Sequence, residues 1–204
     1  MGAKYDVLIA AGGFGSRSTG SNDRQGMPKC LWPFASGTLL SSLLVELAER
    51  NLSVLVSTNR PQFTSTIQRA CDATESSLVF DPGFRTTIDL ARMHHQLLRP
   101  EFVFLYGHTW MPVETLAPFC EGGEAIGTFA TSSRRDPLAI GGRFAEPPFR
   151  VNSDHLSQSH ASSWREYWTR TRRSPRLIKI GGPSEANTLR ELRAYERSWA
   201  NSAA

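Results

Sequence analysis

Residues 7 to 31 read VLIAAGGFGSRSTGSNDRQGMPKCL, and we expect the rest of the chain to be organised around this segment. It begins with a short apolar run, Val7 to Ala10, which is typical of a buried parallel strand. Glycines follow almost at once, at Gly12, Gly13 and Gly15. Glycine lets the backbone turn tightly and bring its N–H groups close to an anion. A strand that ends in such a turn predicts a binding site for phosphate groups.

Two cationic residues follow the glycine turn. Arg17 comes two residues after Gly15, and Pro28-Lys29 closes the polar loop. The chain lacks the Gly-Lys-Ser/Thr ending of a Walker motif, and position 18 is Ser18 where the dinucleotide fingerprint needs a third glycine. Both of these common phosphate motifs are therefore excluded. We expect Arg17 and Lys29 to lie on a solvated loop and, with the loop amides, to neutralise a polyphosphate.

The pattern Gly13-x-Gly15-x-Arg17 followed by Pro28-Lys29 resembles the signature of the nucleotidyltransferases of the sugar-phosphate and molybdopterin-guanine type. The resemblance implies a three-layer α/β fold with a mostly parallel, Rossmann-like sheet. It also implies transfer of a nucleoside monophosphate from a triphosphate to a small phosphorylated acceptor, with Mg²⁺ as cofactor and release of pyrophosphate. The nucleotide-binding residues that it suggests are Ala10, Ala11, Gly12, Gly13, Gly15, Arg17, Lys29, Arg85 and Thr86.

Strands alternate with helices along the chain, which favours βαβ units and a mostly parallel sheet. Strands are predicted at 52–57, 78–80, 102–106, 125–131, 137–144, 149–151 and 177–180. Helices are predicted at 38–50, 61–71, 86–98, 162–172 and 184–198. No linker divides the 204 residues, so we expect one domain, with a nucleotide-binding half over 1–120 and an acceptor-binding half over 121–204. Ligands of such sheets bind beyond the carboxyl ends of the strands.

The loop after the strand at 102–106 reads Gly107-His108-Thr109. It resembles the family's Gly-Asp loop, whose Asp holds the catalytic Mg²⁺, but His108 stands in place of that Asp. Imidazole is a poor ligand for Mg²⁺. Three explanations remain open: substrate phosphates and another carboxylate hold the metal, His108 acts directly on a phosphate, or the protein binds nucleotide without turning it over. The candidate carboxylates are Glu185, Asp81 and Asp89.

Two further positions come from the resemblance near the carboxyl terminus. The segment that contains Glu185 and Asn187 resembles the family's closing element, and Lys179 stands where some relatives direct a Lys toward the phosphates. A helix-bracing role for Asn187 and a surface position for Lys179 remain open. His94 and His95 have no partner at metal-ligand spacing, so we interpret them as structural residues of the predicted helix at 86–98.

Composition limits the classes of protein. Hydrophobic residues make up 40% of the chain and charged residues 21%, which describes a soluble globular protein. The sequence shows neither a signal peptide nor an apolar run of about 18 residues, so we expect a cytoplasmic protein without a membrane span. Cys30, Cys71 and Cys120 are odd in number and far apart, which offers neither a disulfide framework nor a zinc motif.

The positive charge is concentrated from Arg134 to the end of the sequence, and the chain as a whole carries +4. No nucleic-acid-binding motif accompanies the Lys and Arg residues of this segment, so nucleic acid is the partner that we rank lowest. The same charge suits a solvated face or the attraction of phosphorylated small molecules. Two rival functions remain: a nucleotide-binding protein that has lost catalysis, and a metal-dependent glycosyltransferase. The second ranks lower because the chain contains no Asp-x-Asp.

Overall fold

One sheet organises the molecule and contains seven strands in the described part of the chain. The computed structural model describes residues 4–12, 27–83, 86–109, 113–120, 122–129, 148–170 and 175–180. The strands of the sheet are β1 (Tyr5–Ala10), β4 (Val54–Thr58), β5 (Ser77–Phe80), β6 (Leu98–Tyr106), β7 (Ala125–Phe129), β8 (Phe149–Asn152) and β9 (Arg176–Ile180), and β2 (Pro33–Phe34) pairs separately with β3 (Gly37–Thr38). The helices are α1 (Leu39–Glu49), α2 (Thr64–Asp72), α3 (Thr87–Met93), α4 (Val113–Cys120), α5 (Ser153–Gln158) and α6 (Trp164–Arg170), with 3-10 turns at Lys29–Leu31 and Pro61–Phe63.

The strands of the sheet run mostly in one direction. Their order is β5-β4-β1-β6-β8-β7-β9, and only β8 is antiparallel to its neighbours within this described sheet. Parallel strands need crossover connections, which place helices on the faces of a sheet. The predicted three-layer α/β fold with a mostly parallel sheet is confirmed.

Strand β1 lies in the middle of the parallel strands and supplies side chains to both core layers. Val7 and Ile9 pack on the side of α1 and α2, whereas Leu8 packs on the side of α3 and α6. Successive side chains of a strand point to opposite faces, so an uninterrupted apolar run fits a strand that is covered on both sides. These three side chains are fully buried.

Helix boundaries differ from the prediction at two places. Helix α3 ends at Met93 instead of continuing to residue 98, because Leu98 is buried in β6 and pairs with Tyr5 of β1. The predicted helix at 61–71 starts with a 3-10 turn before α2. Helix α5 was not predicted; it is short, and Asn152 caps it by accepting a hydrogen bond from His155 N at 3.0 Å. The strand predicted at 137–144 and the helix predicted at 184–198 lie outside the described residues.

Among the described residues, no helix combines the length and the apolar character that crossing a bilayer requires.

Candidate active site

The carboxyl ends of four parallel strands meet at one edge of the sheet. Gly107 N, just after β6, donates to Ala10 O at 2.9 Å, and Ala11 N donates to Ser57 O of β4 at 2.8 Å. Asp81 N, just after β5, donates to the carbonyl oxygen of β4's last residue at 2.9 Å. Three of these strand ends, those of β1, β5 and β6, lead into segments that the sequence assigns to the site, and they meet as expected for a ligand site in a parallel sheet.

Gly107 sits where two of these loops touch the 3-10 turn at Lys29–Leu31. A Cβ atom at Gly107 would lie 3.0 Å from Cys30 Cβ and 3.3 Å from Ala11 Cα. The thiol of Cys30 also donates to Ala11 O at 3.6 Å. The absence of a side chain at Gly107 thus allows the turn with Lys29 to pack directly against the end of β1.

Lys29 is buried, with 6% of its surface exposed. The expectation that it lies on a solvated loop is wrong. It belongs to the 3-10 turn that Cys30 packs against Ala11, just after the carboxyl end of β1. A buried ammonium group needs protein partners in place of water, and Lys29 does interact with other groups of the protein.

His108 is half-buried, and its ring stacks on an aromatic residue of β6. The imidazole and the ring of Tyr106 are nearly parallel, with centroids 5.4 Å apart and an interplanar angle of 5°. Tyr106 in turn packs edge to face on Phe104, with centroids 5.7 Å apart. The stack holds the imidazole beside Gly107, at the edge where the other predicted site residues meet.

Asp81 is paired inside the protein. Its Oδ2 accepts hydrogen bonds from Ser57 Oγ at 2.6 Å and lies 2.8 Å from His94 Nε2. The prediction that His94 lies within a helix is wrong, since it follows the last residue of α3. The two contacts tie the turn after β5 to β4 and to the end of α3, which gives Asp81 a structural use beside its predicted role as a metal ligand.

Thr86 caps α3. Its Oγ1 accepts a hydrogen bond from Asp89 N at 3.3 Å and lies 2.7 Å from Asp89 Oδ2. Asp89 also forms an ion pair with Arg92, at 3.0 Å. The hydroxyl of Thr86 and the carboxylate of Asp89 thus make contacts within the first turns of α3, and Thr86 is the N-cap residue of this helix.

The described residues do not by themselves fit a bound Mg²⁺ ion. Among them, no group of three or more His, Cys, Asp or Glu side chains is placed to hold a metal. Oδ2 of Asp81 already contacts Ser57 Oγ and His94 Nε2. His108 offers a nitrogen ligand, which Mg²⁺ binds poorly. The donor set of the described edge is therefore incomplete for this ion.

Several predicted site residues have no described side chain. Lys179 lies near the carboxyl end of β9, which runs parallel to β7, and its backbone pairs with residue 128. Its side chain is outside what the structure describes. Gly13, Gly15, Arg17, Arg85, Glu185 and Asn187 also lie outside the described residues.

The sequence analysis missed two residues that contact the start of the glycine loop. Arg60 Nε donates to Gly12 O at 2.9 Å. A Cβ atom at Gly12 would lie 2.3 Å from Asn59 Oδ1, so the Asn59 amide packs on this glycine. The signal was present, because Asn59 and Arg60 come two and three residues after the strand predicted at 52–57, and ligands of such sheets bind beyond the carboxyl ends of the strands.

A cleft of about 390 Å³ lies at the opposite ends of the parallel strands, near the starts of β7 and β9. Its carboxylates are engaged with neighbouring side chains: Glu101 Oε2 is 2.8 Å from Arg150, and Glu124 Oε1 accepts from Tyr167 OH at 2.7 Å. It adjoins the amino ends of the parallel strands, away from the loops that follow their carboxyl ends. The segments that follow β1, β4, β5 and β6 begin at the other ends of these strands.

No protein-family model and no curated protein sequence matches the chain. Solved structures do. The chain is similar to a nucleotidyl transferase from Methanothermobacter thermautotrophicus, with a TM-score of 0.71 and 15% identity over 96% of this chain and 97% of that one. It is similar to CTP:phosphocholine cytidylyltransferase from Streptococcus pneumoniae, with a TM-score of 0.67 and 11% identity over 98% and 100% of the two chains. Rv0371c from Mycobacterium tuberculosis H37Rv, in complex with manganese, matches with a TM-score of 0.61 and 17% identity over 94% and 97%. Across nearly its whole length, the chain therefore has the fold of the nucleotidyltransferases.

Proposed function

We propose that the protein is a nucleotidyltransferase that moves a nucleoside monophosphate from a triphosphate to a small phosphorylated acceptor and releases pyrophosphate. The observation that carries this proposal is the likeness of fold to a nucleotidyl transferase over 96% of the chain. The acceptor class is a sugar phosphate, a phosphocholine-like compound or a phosphonate. A phosphocholine cytidylyltransferase among the similar structures supports an acceptor of this kind.

In this proposal the protein acts by positioning the reactants and by placing positive charge near the leaving group. Transfer of a nucleotidyl group needs the acceptor phosphate in line with the α-phosphorus, and positive charge on the oxygens that become more negative. Lys29 and Arg17 supply side-chain charge, and the backbone N–H groups that begin at Gly12 supply hydrogen bonds. The burial of Lys29 supports this role, because its charge acts in a site from which water is partly excluded.

We propose that Mg²⁺ enters the site as a complex with the triphosphate. The described donor set is incomplete for a resident ion, which favours phosphate oxygens as its main ligands. The similar structure in complex with manganese supports the use of a divalent ion. His108, held by its stack on Tyr106, then acts on a phosphate oxygen as a hydrogen-bond donor or a cation.

A screen of the four nucleoside triphosphates with pooled phosphorylated acceptors and Mg²⁺, read as pyrophosphate release, tests the function. We expect release that depends on both the triphosphate and the acceptor pool. Arg17→Ala, which removes one proposed phosphate contact, serves as the control for contaminating activity. Absence of release with every triphosphate, although binding is measured, would contradict catalysis.

The second candidate is a nucleotide-binding protein without turnover, and His108 in place of the family's Asp is the observation that favours it. Such a protein would bind a triphosphate in calorimetric titration but release no pyrophosphate at any pH. In that case His108→Asp would restore a carboxylate and create some Mg²⁺-dependent release. An active wild-type protein would exclude this candidate.

A further inference from the structure

The backbone of the turn that carries His108 is held on both sides of that residue. Gly107 N donates to Ala10 O at 2.9 Å, and Thr109 N donates to Tyr106 O, also at 2.9 Å. The second hydrogen bond closes a β-turn whose two central residues are Gly107 and His108. Thr109 is fully buried where the chain leaves the turn. The backbone position of His108 at the end of β6 is therefore set without its side chain.

The direction of the imidazole is a separate matter, because two side-chain torsions lie between the backbone and the ring. The ring of Tyr106 restricts these torsions. The two rings are nearly parallel, with centroids 5.4 Å apart and an interplanar angle of 5°. Offset parallel packing of aromatic rings is favourable, and a contact of this kind favours one orientation by roughly two- to tenfold. Tyr106 therefore biases the imidazole of His108 toward one orientation.

Tyr106 is itself held by the core layer on the side of α3 and α6. Its ring packs edge to face on Phe104, with an interplanar angle of 82°. Phe104 is fully buried and packs on Trp164 of α6, with centroids 4.8 Å apart. Trp164 Nε1 in turn donates to Oγ1 of Thr87, the first residue of α3, at 3.1 Å. Contacts that involve β6, α6 and α3 thus fix the ring on which the imidazole rests.

We propose that Tyr106 is a positioning residue for nucleotidyl transfer: its ring holds the imidazole of His108 in the orientation that the reaction uses. This inference rests on the proposed function, in which His108 acts on a phosphate oxygen. It deepens that function by treating Tyr106 and His108 as one unit. A stacked ring supports an imidazole, whereas an aspartate at position 108 would have no ring to stack. Holding a reacting group in one geometry raises the rate, because its orientation is settled before the reaction begins.

Three substitutions isolate the stacked ring. Tyr106→Phe keeps the ring and removes only the hydroxyl group. Tyr106→Leu keeps an apolar side chain beside Phe104 and removes the ring that stacks on the imidazole. Phe149→Leu is the matched control, because Phe149 also packs on Phe104, with centroids 6.4 Å apart, but from β8. It removes a ring from the same core layer and leaves the stack of Tyr106 on His108 in place.

The kinetics of pyrophosphate release are the first measurement, at a temperature where thermal unfolding shows every variant to be folded. We expect a kcat within about threefold of wild type for Tyr106→Phe and Phe149→Leu. For Tyr106→Leu we expect a kcat about tenfold lower with KM changed less than about threefold, because orientation affects the reacting step more than binding. A wild-type kcat in Tyr106→Leu would overturn the positioning role, and so would an equal loss in Phe149→Leu.

The same substitution in a His108→Ala background is the second measurement. There the ring of Tyr106 has no imidazole to hold. We expect Tyr106→Leu to change the remaining rate by less than about threefold in this background, so that its cost depends on the presence of His108. An equal loss in both backgrounds would overturn the proposal, because it would show that Tyr106 acts through the fold or through another group.

Nuclear magnetic resonance of histidine-labelled protein without nucleotide is the third measurement. We expect the couplings between the α and β protons of His108 to report one rotamer in wild type and Tyr106→Phe, and an average over rotamers in Tyr106→Leu. Unchanged couplings in Tyr106→Leu would overturn the holding contact whatever the protein catalyses. If wild type releases no pyrophosphate with any triphosphate, the proposed function fails and the role in transfer fails with it. The couplings then decide only whether Tyr106 orients the imidazole.

Discussion

At the scale of single residues, Lys29 combines burial with a position in the turn that packs on Ala11. It is 6% exposed and lies in a turn that packs on the end of β1. We therefore expect its removal to lower stability as well as the proposed activity, unlike the removal of a charge from a solvated loop.

We expect Lys29→Ala to lower both the rate of pyrophosphate release and the temperature of thermal unfolding. Removing a buried polar group that interacts with others leaves its partners unsatisfied, which typically costs about 1 to 3 kcal/mol of unfolding free energy. Lys4→Ala is the control, because Lys4 is exposed at the start of β1 and should change neither quantity appreciably. A Lys29→Ala protein as stable as wild type would contradict the burial that the structure shows.

Experiments on His108 distinguish the two candidate functions, an active nucleotidyltransferase and a nucleotide-binding protein without turnover. If its imidazole contacts a phosphate, the rate should change as the side chain gains or loses a proton. We expect His108→Ala to be slower and to lose this pH dependence. The measurement is the pH profile of kcat from about pH 5 to pH 8. A variant with the full rate and an unchanged profile would show that the residue does not take part.

At the scale of elements, Gly107 packs the end of β6 against the 3-10 turn at Lys29–Leu31 and against Ala11, which follows β1. An added Cβ at Gly107 would force Cys30 or Ala11 to move. We expect Gly107→Ala to lower the unfolding free energy by about 1 to 3 kcal/mol, as overpacking usually does, and to reduce activity.

Gly83→Ala is the matched control for that substitution. A Cβ at Gly83 meets no described atom within 4 Å. Thermal unfolding and pyrophosphate release of both variants make the comparison. Equal behaviour of the two alanine variants would contradict the close packing at Gly107.

The pairing of β6 with β8 includes an ion pair whose strength varies with pH. Hydrogen bonds from Arg150 hold the pKa of Glu101 below its ordinary value of 4.5, with a smaller contribution from Gly123 N. A carboxyl with a lowered pKa in the folded state stabilises the protein above its ordinary pKa, and this stabilisation is lost as the pH falls through the lowered value.

We therefore expect wild type to unfold at a higher temperature than Glu101→Gln at about pH 6, and the difference to shrink toward about pH 3. The pH dependence of this difference should disappear in an Arg150→Gln background, which completes a double-mutant cycle. A difference that stays constant over this range would contradict the assigned ion pair.

At the scale of the whole molecule, the sheet is continuous from β5 to β9 and joins the two predicted halves. Strand β6 of the first half pairs with β8 of the second over residues 101–104. We expect unfolding by urea in a single cooperative transition, with coincident curves from far-UV circular dichroism and tryptophan fluorescence. Two separate transitions would indicate that 1–120 and 121–204 unfold as independent units.

Local patterns predicted much of this architecture. The apolar run of β1 and the leucines of α1 report burial directly, because each periodicity follows from the geometry of one element. Boundaries were less certain where one apolar residue suits two elements. Leu98 fits the spacing of a longer α3, but it is buried in β6, so its pairing with Tyr5 decided between them.

The sequence by itself predicted most of the strands and helices in the described part of the chain and the end of the sheet where the segments after the parallel strands meet, because these depend on spacing along the chain. Only the tertiary structure decided the burial of Lys29, the pairing of Asp81 with His94 and the contact of Arg60 with Gly12. Each of these depends on segments far apart in sequence that the sheet brings side by side. The pattern of either segment does not record which atom of the other it meets.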